Sequence, residues 1–182
     1  AAERGHVESQ YSMGIYYNNG DGVIKSYNTA FKWFSRAAER GHIMAQSMLG
    51  YFYFGGKGVV KNLKLAVAWY KKAAEQGNVE SQYNLAFCYR KGKGVKHSFE
   101  NAVEWYTKAA EQGHNEAQLS LGYRYEYGQG VTQSWEHAIK WFTKAAEQGN
   151  IYAQFNLAWA YFIGRGVTKN GECAFKWFMK GS

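Results

Sequence analysis

Proline is missing from all 182 residues. Every reversal must therefore be made by glycine, of which there are 21, or by Asn, Asp and Ser. Cysteine is nearly as scarce: Cys88 and Cys173 stand alone, with no C-x-x-C pair, zinc spacing or disulfide framework. No apolar run approaches the roughly 20 residues that cross a bilayer, and no leader-like segment opens the chain, so it reads as soluble. The five histidines do not gather: His6, His42 and His114 share one place in a repeat, while His97 and His137 are isolated. Neither a metal nor another cofactor is expected. No Ser is followed three residues later by Lys, and no phosphate-loop motif occurs. Catalysis is not expected.

What is present is repetition. "AAERG" or "AAEQG" begins at 1, 37, 73, 109 and 145, always 36 residues apart. The units are 1–36, 37–72, 73–108, 109–144 and 145–180, without insertion. A fixed period of a few tens of residues is the mark of a solenoid whose units bury their faces against their neighbours. The two cysteines fall two units apart. Helical layers ~8–10 Å apart hold them beyond a disulfide's ~7 Å limit, so both read as packing residues.

Two helical patterns fill each unit. In the second unit one runs from about His42 to Phe54, with Gln46, Leu49, Gly50 and Tyr53 on one face. The Gly/Ala alternation at the place of Gly50 (Ala86 and Gly122 in the next units) predicts the close approach of another helix backbone. The other pattern runs from about Lys64 to Gln76 and carries a recurrent tryptophan: Trp33, Trp69, Trp105, Trp141 and Trp177. Tryptophan at helical spacing reads as core. "AAEQG" reads as a last turn closed by a left-handed glycine, and the following Asn or His starts the next helix. Ser26, Asn62, Ser98, Ser134 and Asn170 are expected N-caps, with Glu100, Glu136 and Glu172 in first turns where the helix dipole favours them. Arg36, Lys72, Lys108, Lys144 and Lys180 precede a glutamate or its place by three residues, predicting local ion pairs.

The unit A-A-E-x-G-x-x-x-A-Q-x-x-L-G-x-x-Y-x-x-G-x-G-V, followed by A-x-x-W-[FY]-x-K-A-A, resembles the Sel-1-like repeat, a relative of tetratricopeptide repeats. The resemblance covers essentially the whole chain. It implies an all-α, right-handed α-solenoid of five stacked helix-turn-helix repeats, read as a single domain over 1–182. The family commonly carries Pro and Asp in the turn after G-x-G-V. Here that place reads Ile24-Lys25, Val60-Lys61, Lys96-His97, Thr132-Gln133 and Thr168-Lys169. The recurrent G-x-G-V itself reads as a structural turn. Neither end offers a polar cap, which predicts a segment of a longer array. The compartment stays open among secreted, periplasmic and cytoplasmic.

Candidate binding residues lie where the five copies share a place but differ in side chain. By resemblance, first helices line the concave side of the superhelix, and the face opposite the Gln/Leu/Gly/Tyr stripe is the expected groove. It holds Met44 and Tyr51; Glu80, Asn84 and Phe87; Glu116, Tyr123 and Tyr127; and Tyr152, Asn156 and Trp159. An aromatic stripe rimmed by polar groups suits a protein or peptide partner, and the resemblance implies a scaffold or adaptor role. The alternative for the large residues is packing between adjacent first helices. A glycan or cell-wall fragment is the second ligand class. Lys and Arg exceed Asp and Glu by 8, which admits an acidic partner. Without a nucleic-acid motif, nucleic acid ranks below protein, as does the β-lactam chemistry associated with cysteine-rich relatives.

Overall fold

The computed structural model describes residues 6–181. Among them the chain forms ten helices and no strand. The first helices of the units are α1 (Val7–Asn19), α3 (Ile43–Gly55), α5 (Val79–Lys91), α7 (Asn115–Tyr127) and α9 (Ile151–Ile163). The second helices are α2 (Tyr27–Glu39), α4 (Leu63–Glu75), α6 (Phe99–Glu111), α8 (Trp135–Glu147) and α10 (Gly171–Lys180). No described helix is long and apolar enough to cross a membrane.

Each boundary has a chemical cause. The expected N-caps of the second helices all accept from the backbone N–H three residues on, at 2.9–3.3 Å. First helices are capped by His6, His42 and His114 through Nδ1, and by Asn78 and Asn150 through Oδ1, at 2.8–3.2 Å. Imidazole Nδ1 and amide Oδ1 reach the same donor, which is why His and Asn alternate there. First helices end on a left-handed glycine, as at Gly56 with φ +70°.

The chain divides into two compact units, Ala1–His97 and Ser98–Ser182. In the first, α1 packs on α2, α2 on α3, α3 on α4 and α4 on α5. In the second, α6 packs on α7, α7 on α8, α8 on α9 and α9 on α10. Within each unit this is the stacked helix-pair architecture of an all-α solenoid. Its rungs are buried glutamines. In the first unit Gln46 Nε2 donates to the Ala38 carbonyl at 3.3 Å and its Oε1 accepts from Gln76 at 2.6 Å. In the second, Gln118 donates to the Ala110 carbonyl at 3.1 Å and accepts from Gln148 at 2.7 Å. These bonds satisfy carbonyls in the last turn of one helix from the first turn of the next.

Three sequence expectations are corrected. The small residue on the first helix meets an aromatic ring of the second helix, not a backbone: a methyl on Gly14, Gly50 or Gly122 would overlap Phe34, Tyr70 or Phe142. Those rings, one residue beyond the tryptophans, are the buried core. The tryptophans lie at its margin: Trp105 is buried and Trp33, Trp69, Trp141 and Trp177 are half-buried. Each is covered by the cation three residues on, with Arg36, Lys72, Lys108, Lys144 and Lys180 at 4.1–4.7 Å from the ring centroid. The recurrent cation thus faces the indole. Ion pairs run at a spacing of four instead: Lys108, over its indole, also pairs with Glu104 at 2.8 Å, and Lys140 pairs with Glu136 at 3.1 Å.

Candidate functional site: the outer face of the first helices

The repeat turns place this face. The first helix ends at G-x-G, and the second glycine lies on the start of the preceding unit's second helix. A side chain on Gly58 would overlap the Tyr27 backbone, and one on Gly130 that of Phe99. The side chains between the two glycines rest on aromatic rings: Lys57 on Tyr51 and Tyr27, Lys93 on Phe54 and Phe87, and Arg165 on Trp135 of α8.

In the first unit α3 and α5 build a shallow cavity of about 230 Å³, lined by Tyr51, Phe54, Tyr70, Tyr83, Asn84 and Phe87. Tyr70 is its buried floor, and burial pushes the ionisation of its phenol well above the ordinary value. Tyr51 is 43% exposed, and Phe87 is half-buried, edge-on to Phe54 at 6.2 Å. Three cations stand over these rings. Lys57 lies 4.4 Å from the Tyr51 centroid and donates to its hydroxyl. Lys93 lies 5.2 Å from Phe54 and 5.3 Å from Phe87, and Arg90 lies 5.2 Å from Phe87. Asn84 donates to Glu80 at 3.2 Å. Met44 is exposed, and its sulfur accepts from Asn78 at 3.3 Å.

In the second unit α7 and α9 present Tyr127, Tyr152 and Trp159, exposed at 60%, 70% and 48%. Tyr123 is half-buried: its ring meets Phe142 at 5.3 Å and stacks on Tyr127 at 6.3 Å, and its hydroxyl accepts from Asn156 at 2.8 Å. Glu116 accepts from Asn150 at 3.0 Å. Asn156 and Glu116 therefore brace this surface from within the chain. Beside Tyr127, burial raises the pKa of Glu126, opposed by the charge of Arg165, and its Oε2 has no hydrogen-bond partner.

The large residues at the fifteenth place of the unit thus divide. Tyr51 and Trp159 face solvent, whereas Ile15, Phe87 and Tyr123 pack partly between neighbours. Sequence reasoning missed Phe54, Tyr70 and Tyr83 as site residues, and it read Lys57 and Lys93 only as part of the basic turns. A lysine between two turn glycines, in units whose fifteenth residue is aromatic, was the available signal. No cluster of His, Cys, Asp and Glu among the described residues could hold a metal. Both cysteines are free, and burial pushes the Cys88 thiol up to about 11, away from nucleophilic use.

Paired helices, of 13 residues in all but α10, with glutamine rungs and glycine turns recurring every 36 residues, define a tandem-repeat protein of stacked helix pairs. More narrowly, the chain belongs to the Sel1 repeat family, whose repeat matches residues 7–42, 43–78, 79–114, 115–150 and 151–181. These units begin at the first helix rather than at the "AAE" phrase. Proteins of this family are generally protein-interaction scaffolds.

One similar solved structure is a protective antigen of uropathogenic Escherichia coli strains, displaying an SLR fold. It shares 40% identity over 99% of this chain and 38% of its own, with a TM-score of 0.96. The chain therefore spans about two fifths of that relative. A Sel1 repeat protein from Oxalobacter formigenes shares 33% identity over 98% of this chain and 73% of its own, with a TM-score of 0.93. Cysteine-rich protein B of Helicobacter pylori shares 26% over 68% and 93%, with a TM-score of 0.54. No curated protein matches the chain significantly.

Proposed function

We propose that this chain is a non-catalytic scaffold that holds a peptide or protein surface on the exposed side of its first helices, the side the repeat resemblance makes concave. The carrying observation is the cavity under Tyr51 and Phe87, together with the exposed Tyr127, Tyr152 and Trp159 at corresponding faces of the second unit. Large amphipathic rings bury much area at little entropic cost, and a true hot spot contributes about 2 kcal/mol or more. Asn84, Asn156, Glu80 and Glu116, each bonded within the chain, offer their remaining donors and acceptors at the rim to set register. Proteins of the family generally bind proteins, which supports the same reading.

The test is an affinity capture with two baits from the source cell. One bait is the chain; the other carries Phe87→Ala, Tyr123→Ala and Trp159→Ala, with its helicity confirmed by circular dichroism. The expected result is a partner held by the first, lost by the second, and cross-linked to α3, α5, α7 or α9. Equal retention by both would assign binding to another surface.

A further inference from the structure

The excess positive charge is confined to one half of the chain. Residues 1–97 carry 14 Lys and Arg against 6 Asp and Glu, whereas residues 98–182 carry 8 of each. In the first unit part of that excess stands over the cavity. Lys57 caps the Tyr51 ring, and Lys93 caps Phe54 and Phe87. Neither lysine pairs with a carboxylate among the described residues. An ammonium has three donors, so a lysine resting on a ring still presents charge and hydrogens to an arriving anion. The acidic member of this face, Glu80, lies ten residues from Arg90 along α5, ~15 Å, and bonds the cavity-lining Asn84 at 3.2 Å, so the negative end of the hollow is opposite its cationic lip.

Cavity size and ring coverage narrow the anion. At about 230 Å³ the cavity falls below the ~300–1,000 Å³ of small-molecule sites and suits a single apolar side chain. Nucleobases and sugars bind aromatic platforms by their open faces. Here Lys57 already stands over the Tyr51 ring, and Arg90 and Lys93 over that of Phe87. What remains is an apolar hollow with a cationic lip.

We propose that the unit of residues 1–97 binds an acidic peptide segment, its carboxylates pairing with Lys57 and Lys93 and one apolar side chain entering the cavity between Tyr51 and Phe87. This rests on the peptide-binding reading above and specifies the partner's chemistry.

A phage library of random short peptides, selected on the full chain, tests it. Selected peptides are synthesised and titrated against the parent, a Lys57→Gln/Lys93→Gln variant and a Tyr51→Ala/Phe87→Ala variant, each confirmed folded by circular dichroism. The expected sequences place Asp or Glu beside an aromatic or long aliphatic residue. Their binding weakens with salt and falls about tenfold on the lysine variant, two charge contacts together being worth about 1.4 kcal/mol. It is lost on the aromatic variant. Peptides without acidic excess, or indifferent to the lysine variant, overturn the charge assignment and leave the groove reading standing. Peptides that bind the aromatic variant as well as the parent overturn the groove itself, and a library yielding no binder overturns both. Displacement of the peptides by a tighter-binding single-stranded oligothymidylate would replace the peptide with nucleic acid.

Discussion

A tryptophan and the cation three residues after it form the same contact in all five units, at 4.1–4.7 Å. The indole shields the core margin on one side and holds the long basic side chain along the helix on the other. A half-buried carboxyl with an oxygen left unbonded is costly, and Glu126 is the instance. Its pKa is raised by burial against the opposing pull of Arg165, and its Oε2 lacks a partner. A carboxyl whose folded pKa exceeds its unfolded value binds protons more readily in the native state. Stability is therefore lost as pH rises through that window, and the full cost is present at neutral pH. Glu126→Gln is expected to raise the urea midpoint at neutral pH and to match the parent below the ordinary carboxylate range. A variant less stable than the parent at neutral pH would show Glu126 paired and contributing to the fold.

At the scale of the element, the turns decide how helix pairs stack. Gly113 and Gly130 both have positive φ, +90° and +78°, but only Gly130 abuts another segment, the Phe99 backbone; nothing lies within 4 Å of a side chain at Gly113. Gly113→Ala is expected to cost only the left-handed penalty, about 1–2 kcal/mol. Gly130→Ala is expected to exceed it by about 1–3 kcal/mol, the range for side chains forced into packed space. Equal costs in urea denaturation would mean that the loop does not dock. The exact period made helix number, caps and turns legible, because a cap needs only one acceptor at a set spacing. Which aromatic of the Trp-[Phe/Tyr] pair is buried was not legible. Neighbours on a helix differ by about 100°, and a tryptophan shielded by its own lysine looks as apolar as core. The candidate face was legible in part. Tyr51, Tyr127, Tyr152 and Trp159 face outward, but two of the cations over the cavity, Lys57 and Lys93, arrive from turns, and Lys93 reaches back to Phe54 of the preceding repeat.

For the whole molecule, packing is local: within each unit, sequential helices supply most of the contacts, and α3 also touches α5. Stability in such an array approximates a sum of repeat and neighbour terms, so damage should stay near its origin. Phe142 tests this. It is buried, it touches the place of Gly122, and it meets the Tyr123 ring. Truncating a buried Phe costs about 3–5 kcal/mol, a large part of what a domain of this size holds. Native-state hydrogen exchange of Phe142→Ala, read by mass spectrometry, is expected to show lost protection in α7, α8 and α9. The amides of α1, α2 and α3 should keep theirs. Graded loss of that kind would mean that binding energy spent on α3 and α5 need not stiffen α7 and α9, so the two faces could take separate parts of one partner. An equal fall across all ten helices would instead require a single cooperative block, in which occupancy of either face tightens the other.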